Sequence, residues 1–108
     1  YIMLPVGPGA ALDARSDGTR ADDGWGVFSG TSAAAPQLAG VCALLLEKNP
    51  GLTPSDVKNV LAAAARDVAL GAANPASNAD AGGMPAGTGI DGATGSGLVD
   101  AFAAWRLV

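Results

Sequence analysis

The 108 residues suffice for one small domain, and a composition 49% hydrophobic with only 15% charged residues excludes a disordered tail. Six Lys and Arg against ten Asp and Glu leave a net charge of -4, which excludes the basic face that nucleic acid needs and gives an anionic membrane nothing to attract. Alanine and glycine dominate while aromatics make up 5%, so elements can pack closely but each residue has little area to bury.

Tyr1 to Leu4 is a short apolar run stopped by Pro5, Gly7, Pro8 and Gly9, which predicts a strand end and then a turn. Ala10 to Ala14 reads as a further short extended piece. Ser16 to Gly24 is polar and glycine-punctuated, an exposed loop or hairpin tip. Its aspartates, with Asp13 just before it (Asp13, Asp17, Asp22 and Asp23), read as solvated charges. Trp25 to Phe28 predicts a strand running into Ser29-Gly-Thr-Ser32.

A helix is predicted over Ser32 to Lys48, with Pro36 in its first turn and a stop at Asn49-Pro50-Gly51. Its middle, Leu38 to Leu46, has no polar face, so it needs burial on all sides, more than so short a chain supplies. Cys42 sits in that run as the only cysteine, a small apolar group with no partner for a disulfide within the chain. A second helix starts at Thr53-Pro-Ser-Asp56, a capping box with proline at the first helical position. Val57, Val60, Leu61, Ala64 and Val68 give it an apolar stripe. Residues 71–97 are glycine-rich and predict a long surface loop. Gly97 to Trp105 predicts a short strand or turn leading into a terminal helix. No run approaches the ~20 apolar residues of a membrane span. The N-terminal stretch lacks the basic region of a signal peptide, and a chain opening on an apolar strand reads as a piece of something longer.

The segment Gly30-Thr-Ser-Ala-Ala-Ala-Pro36 carries the candidate chemistry. It places Ser32 where extended chain enters a buried helix, and open backbone N–H groups there favour developing negative charge. A serine attacking a carbonyl creates such an oxyanion, which its own N–H can help to hold. Gly30 permits close backbone approach, and Ala33 to Ala35 leave room for a substrate. Taken by itself, a Gly-Thr-Ser run before a helix is usually only a cap, and for Thr31 the cap and the supporting role weigh alike. There is no histidine in the chain, hence no general base of the usual kind for Ser32.

Ser29-Gly-Thr-Ser-Ala-Ala-Ala-Pro-Gln-Leu-Ala-Gly40 resembles the nucleophile block of the subtilases, the subtilisin-like serine proteases. Three further segments resemble that family in the same order: Pro5 to Leu12 before the block, Leu52 to Leu61 as the following helix, and Thr94 to Ala104 as the closing segment. The resemblance implies Ser32 as nucleophile with its N–H as an oxyanion donor, Thr31 supporting that hole and Gly30 giving backbone room. It implies the C-terminal part, residues 1–108, of one catalytic domain with an α/β fold, three layers and a mostly parallel sheet incomplete in this chain. The family's triad runs Asp, His, Ser, so the first two members are expected upstream, in polypeptide that would be this chain's partner. The oxyanion-hole Asn of the family is likewise expected upstream. Ala33 stands where many members carry an oxidisable Met, and Gln37 where they carry His. The implied reaction is hydrolysis of peptide bonds through an acyl-enzyme, with the chain inactive alone, a polypeptide as substrate, and no nucleic-acid or membrane partner. An extracellular location is the family's default.

Asp80 and Asp91 could ligate calcium, which many subtilases bind, but two isolated loop aspartates read first as surface charges, so no cofactor is assigned to this chain and calcium is left to the parent domain. Gly87-Thr-Gly-Ile-Asp-Gly92 fits a dinucleotide fingerprint literally but lies in the loop, without the strand and helix that motif requires. Two rivals share the nucleophile block: a sedolisin-type Ser-Glu-Asp peptidase, and a pseudoprotease or binding module in which Ser32 is only a cap.

Overall fold

The computed structural model describes residues 2–13, 18, 20–73 and 83–108, so Tyr1, Asp17 and Asp80 lie outside it. The chain forms two compact units, Tyr1–Ala39 and Gly40–Val108.

In the first unit, β1 (Ile2–Pro5) pairs antiparallel with β2 (Trp25–Phe28), Ile2 opposite Phe28 and Leu4 opposite Gly26. Successive side chains of a strand alternate between faces, so Ile2 and Leu4 of β1 share the more buried face with Gly26 and Phe28 of β2, leaving Met3, Pro5 and Trp25 exposed. Val6 extends the ribbon, its N–H donating to the Gly24 carbonyl at 2.9 Å.

Two readings of the connection need correction. Ala10 to Asp13 is turned rather than extended, with Ala10 N–H donating to the Gly7 carbonyl and Asp13 N–H to the Ala10 carbonyl. The glycines and Pro8 just before it favour that path, and Gly9 takes a φ of 76°. Asp13 is not solvated but fully buried: one carboxylate oxygen accepts from Gly24 N–H at 3.0 Å, and its carbonyl accepts from Asp22 N–H. The chain folds over this aspartate and gives its carboxylate one amide donor, while its second carboxylate oxygen is buried with no hydrogen-bond partner among the described residues, which a list of residue types does not reveal. Asp22 and Asp23 are exposed as expected, Asp23 accepting from Arg20 N–H and Trp25 N–H.

Helix α1 (Thr31–Lys48) starts in the first unit and ends in the second, one residue earlier at its start than the sequence pattern predicts. In the second unit Leu45 is fully buried with Val57 of α2 (Pro54–Ala64) and Ala104 of α3 (Ala101–Leu107). Cys42, Leu52, Val60, Leu61, Ala64 and Val108 pack around this core. The remaining flanks of α1 are open, with Leu44 53% and Leu46 40% exposed. That is the physical result of an all-round apolar helix having only one covered side.

The start of α2 is as read: the Thr53 hydroxyl accepts from Asp56 N–H while the Asp56 carboxylate accepts from Thr53 N–H. Its end is not. The helix stops at Ala64, Ala65 turns extended, and Arg66 bridges antiparallel to Leu98, so Val68 falls outside the helix. α3 is capped by Asp100, which accepts from Ala103 N–H at 2.8 Å.

The described residues of 71–97 hold more structure than a loop. β3 (Ala72–Ala73) pairs antiparallel with β4 (Met84–Pro85), and Asp91 bridges to Gly95. Asp91 is the hub: its two oxygens accept from Gly87 N–H, Ala93 N–H, Thr94 N–H and the Thr94 hydroxyl, at 2.7 to 3.1 Å. The fold mixes helix and strand, and every strand pair among the described residues is antiparallel.

Candidate active site

Gly30 ends the path out of β2 with a φ of 118°, a conformation that residues with a side chain rarely adopt. Its carbonyl accepts from Ala33 N–H and Ala34 N–H, both at 3.1 Å, so Gly30 occupies the position that closes the first turn of α1. Thr31 and Ser32 are therefore the first two helical residues and not the cap. This corrects the reading of Thr31 as a cap.

Residues 29–32 are all exposed, while Ala33, the next, is only 6% exposed and anchors the helix start. The N–H groups of Thr31 and Ser32 belong to the helix terminus, where no carbonyl of the preceding turn can accept them, and the helix dipole adds partial positive charge. Ala34 and Ala35 are small and exposed beside them, leaving open space. The structure thus brings Gly30, Thr31 and Ser32 onto one exposed turn suited to a negatively charged oxygen.

Pro36 does not lie in the first turn. It is the sixth residue of α1, where an N–H would close on the carbonyl four residues back, that of Ser32. Proline removes this donor, so the turn carrying Ser32 is tied to the helix body by one hydrogen bond fewer.

The sequence has no histidine, and two of the described aspartates of this unit engage their own loop: Asp13 with Gly24, Asp23 with Arg20 and Trp25. Among the described residues no three His, Cys, Asp or Glu gather to hold a metal ion. Asp91 directs both carboxylate oxygens to donors of its own loop. The literal Gly87-to-Gly92 fingerprint opens no helix, since the next one begins only at Ala101. No helix among the described residues is long and apolar enough to cross a membrane.

Sequence reasoning missed Asp13 and Asp91. The Asp91-Gly-Ala-Thr94 spacing is the available signal for the second, because an aspartate commonly accepts from amides two and three residues on. For Asp13 there is no comparable signal.

A chain that sets a Gly-Thr-Ser turn on the N-terminus of a long alanine-rich helix can be compared with known families. The pattern of peptidase S8, the subtilase family, matches residues 8–97, and the chain belongs to that family. A relative of known class is the serine protease AprX of Bacillus subtilis (strain 168), 41% identical over 54 residues. That match covers 50% of this chain and 12% of the relative, so the chain spans a small share of that protein's length.

Proposed function

We propose that this chain is the nucleophile-bearing part of a serine endopeptidase. The observation that carries the reading is the position of Ser32, exposed on the first turn of α1 within the segment matched to the subtilases. In this reading the Ser32 hydroxyl attacks the carbonyl of a peptide bond and a histidine of the wider protein takes its proton. The oxyanion is held by the Ser32 N–H together with an upstream donor, Thr31 supports the hole, and Gly30 keeps the approach clear. Collapse of the tetrahedral adduct breaks the C–N bond, and the histidine returns the proton to the leaving amine. Water, activated by the same base, then hydrolyses the Ser32 ester and regenerates the hydroxyl.

The histidine and its orienting aspartate come from polypeptide outside these residues, since the chain contains no histidine. With that polypeptide the domain becomes a three-layer α/β fold on a mostly parallel sheet, to which this chain contributes the nucleophile helix. The substrate is a polypeptide and the working location extracellular.

The test is fluorophosphonate labelling of the intact protein with mapping of the labelled residue, beside the Ser32→Ala variant. Label on Ser32, with turnover falling by roughly 10⁴-fold or more in the variant at unchanged stability, is the expected result. An unlabelled Ser32, or a variant that keeps its turnover, rejects the nucleophile and leaves a packing or binding role.

A further inference from the structure

Gly26 is buried in the strand that leads to Ser32, and the space beside it is occupied. A Cβ placed on it would lie 2.9 Å from Cε2 and 3.2 Å from Cζ of Phe28, and 3.3 Å from Cγ1 of Val6. Residues two apart in a strand share a face, so the Phe28 ring folds back over the backbone of Gly26 and fills the place of its missing side chain. The strand itself cannot easily yield, because β1 holds it in register through the Leu4–Gly26 and Ile2–Phe28 pairs. A methyl group at position 26 would therefore displace the ring.

The position of that ring matters for the turn beyond it. Residues 29–32 are exposed, and the nearest packed residues on either side are Phe28, half-buried, and Ala33, buried. Between them Gly30 has no side chain to restrict its own dihedrals and takes a φ of 118°. The path of the turn is thus set by its two anchors.

We propose that Gly26 is a positioning residue for Ser32, acting through Phe28: the missing side chain lets the aromatic ring seat on β2 and so aims the Ser29-to-Ser32 turn. This rests on the reading of Ser32 as nucleophile. A residue that only fills the core would change stability alone, whereas this one changes turnover per folded active site.

The experiment is a cycle in the intact protease: Gly26→Ala, Phe28→Leu and the two together, with kcat, KM, fluorophosphonate titre and unfolding midpoint measured for each. Leucine lacks the ring atoms that the added methyl would strike. The expected result is a kcat lower by roughly tenfold or more in Gly26→Ala, at unchanged titre and nearly unchanged KM, since small misplacements of a reacting group carry penalties of that size. In the Phe28→Leu background the same change should have little further effect. An unchanged kcat, a loss that merely follows the titre, or an equal loss in both backgrounds overturns the proposal. If Gly26→Ala does not fold, Phe28→Leu alone decides: lower kcat at full titre supports the anchor, and unchanged kcat rejects it. Wild-type protein labelled at Ser32 with no effect of Gly26→Ala defeats the positioning role only, whereas wild-type protein not labelled at Ser32 defeats the nucleophile as well.

Discussion

Asp91 holds its loop through a charge. The Gly87 N–H first, then the Thr94 N–H, with smaller help from Ala93 N–H and the Thr94 hydroxyl, favour the ionised carboxylate and outweigh its partial desolvation. Its pKa is therefore held below the ordinary aspartate value of 3.8. A depressed folded value means that the stabilisation is present in full above the unfolded value and lost as pH falls through the folded one. The amide signals of Gly87 and Thr94 should therefore titrate together below pH 3.8 by NMR, and Asp91→Asn should abolish that titration. Titration at or above that pH would show that the amides do not hold the charge. Asp56 is shifted the same way, first by the Thr53 hydroxyl and then by its N–H, so the start of α2 weakens in the same acidic range.

The elements depend on close backbone approaches that only glycine allows. Gly97 takes a φ of 113°, and a Cβ there would strike the backbone of Arg66, 2.8 Å from its carbonyl carbon. The Arg66–Leu98 bridge joins the end of α2 to the approach to α3, with 2.8 Å hydrogen bonds in both directions. Gly97→Ala should destabilise the protein by about 1–3 kcal/mol, read as a lower unfolding midpoint in denaturant. A neutral effect would mean that the bridge yields easily. The start of α2 is legible because its signal is local: Thr53, Pro54 and Asp56 form a capping box within one turn. The Gly30-to-Ser32 turn is legible for a similar reason, as consecutive residues are brought together by chain connectivity alone. The short strand pairs were not, since Ala72 with Pro85 or Arg66 with Leu98 meets across many residues of glycine-rich chain without apolar alternation. Nor was the place of Gly26, whose role depends on a ring two residues away.

At the scale of the molecule, the main imbalance among the described residues is uncovered apolar surface rather than charge. Leu44, Leu98, Phe102 and Leu107 are more than half exposed in the second unit, around a core whose fully buried side chains are few. Residues 1–108 expressed alone should bind a hydrophobic dye such as anilinonaphthalene sulfonate and associate as concentration rises. A monomer that unfolds cooperatively and leaves the dye dark would show that these faces need no cover. Trp105 offers a way to watch α1 meet α3. The Lys48 ammonium sits 3.8 Å from the centroid of the Trp105 ring, and its Nζ donates to the Trp105 carbonyl at 2.8 Å. A cation fixed against an indole perturbs its excited state, which makes Trp105 a built-in fluorophore for the meeting of α1 with α3. The molecule therefore carries its own optical gauge of whether the end of α1 is docked against α3.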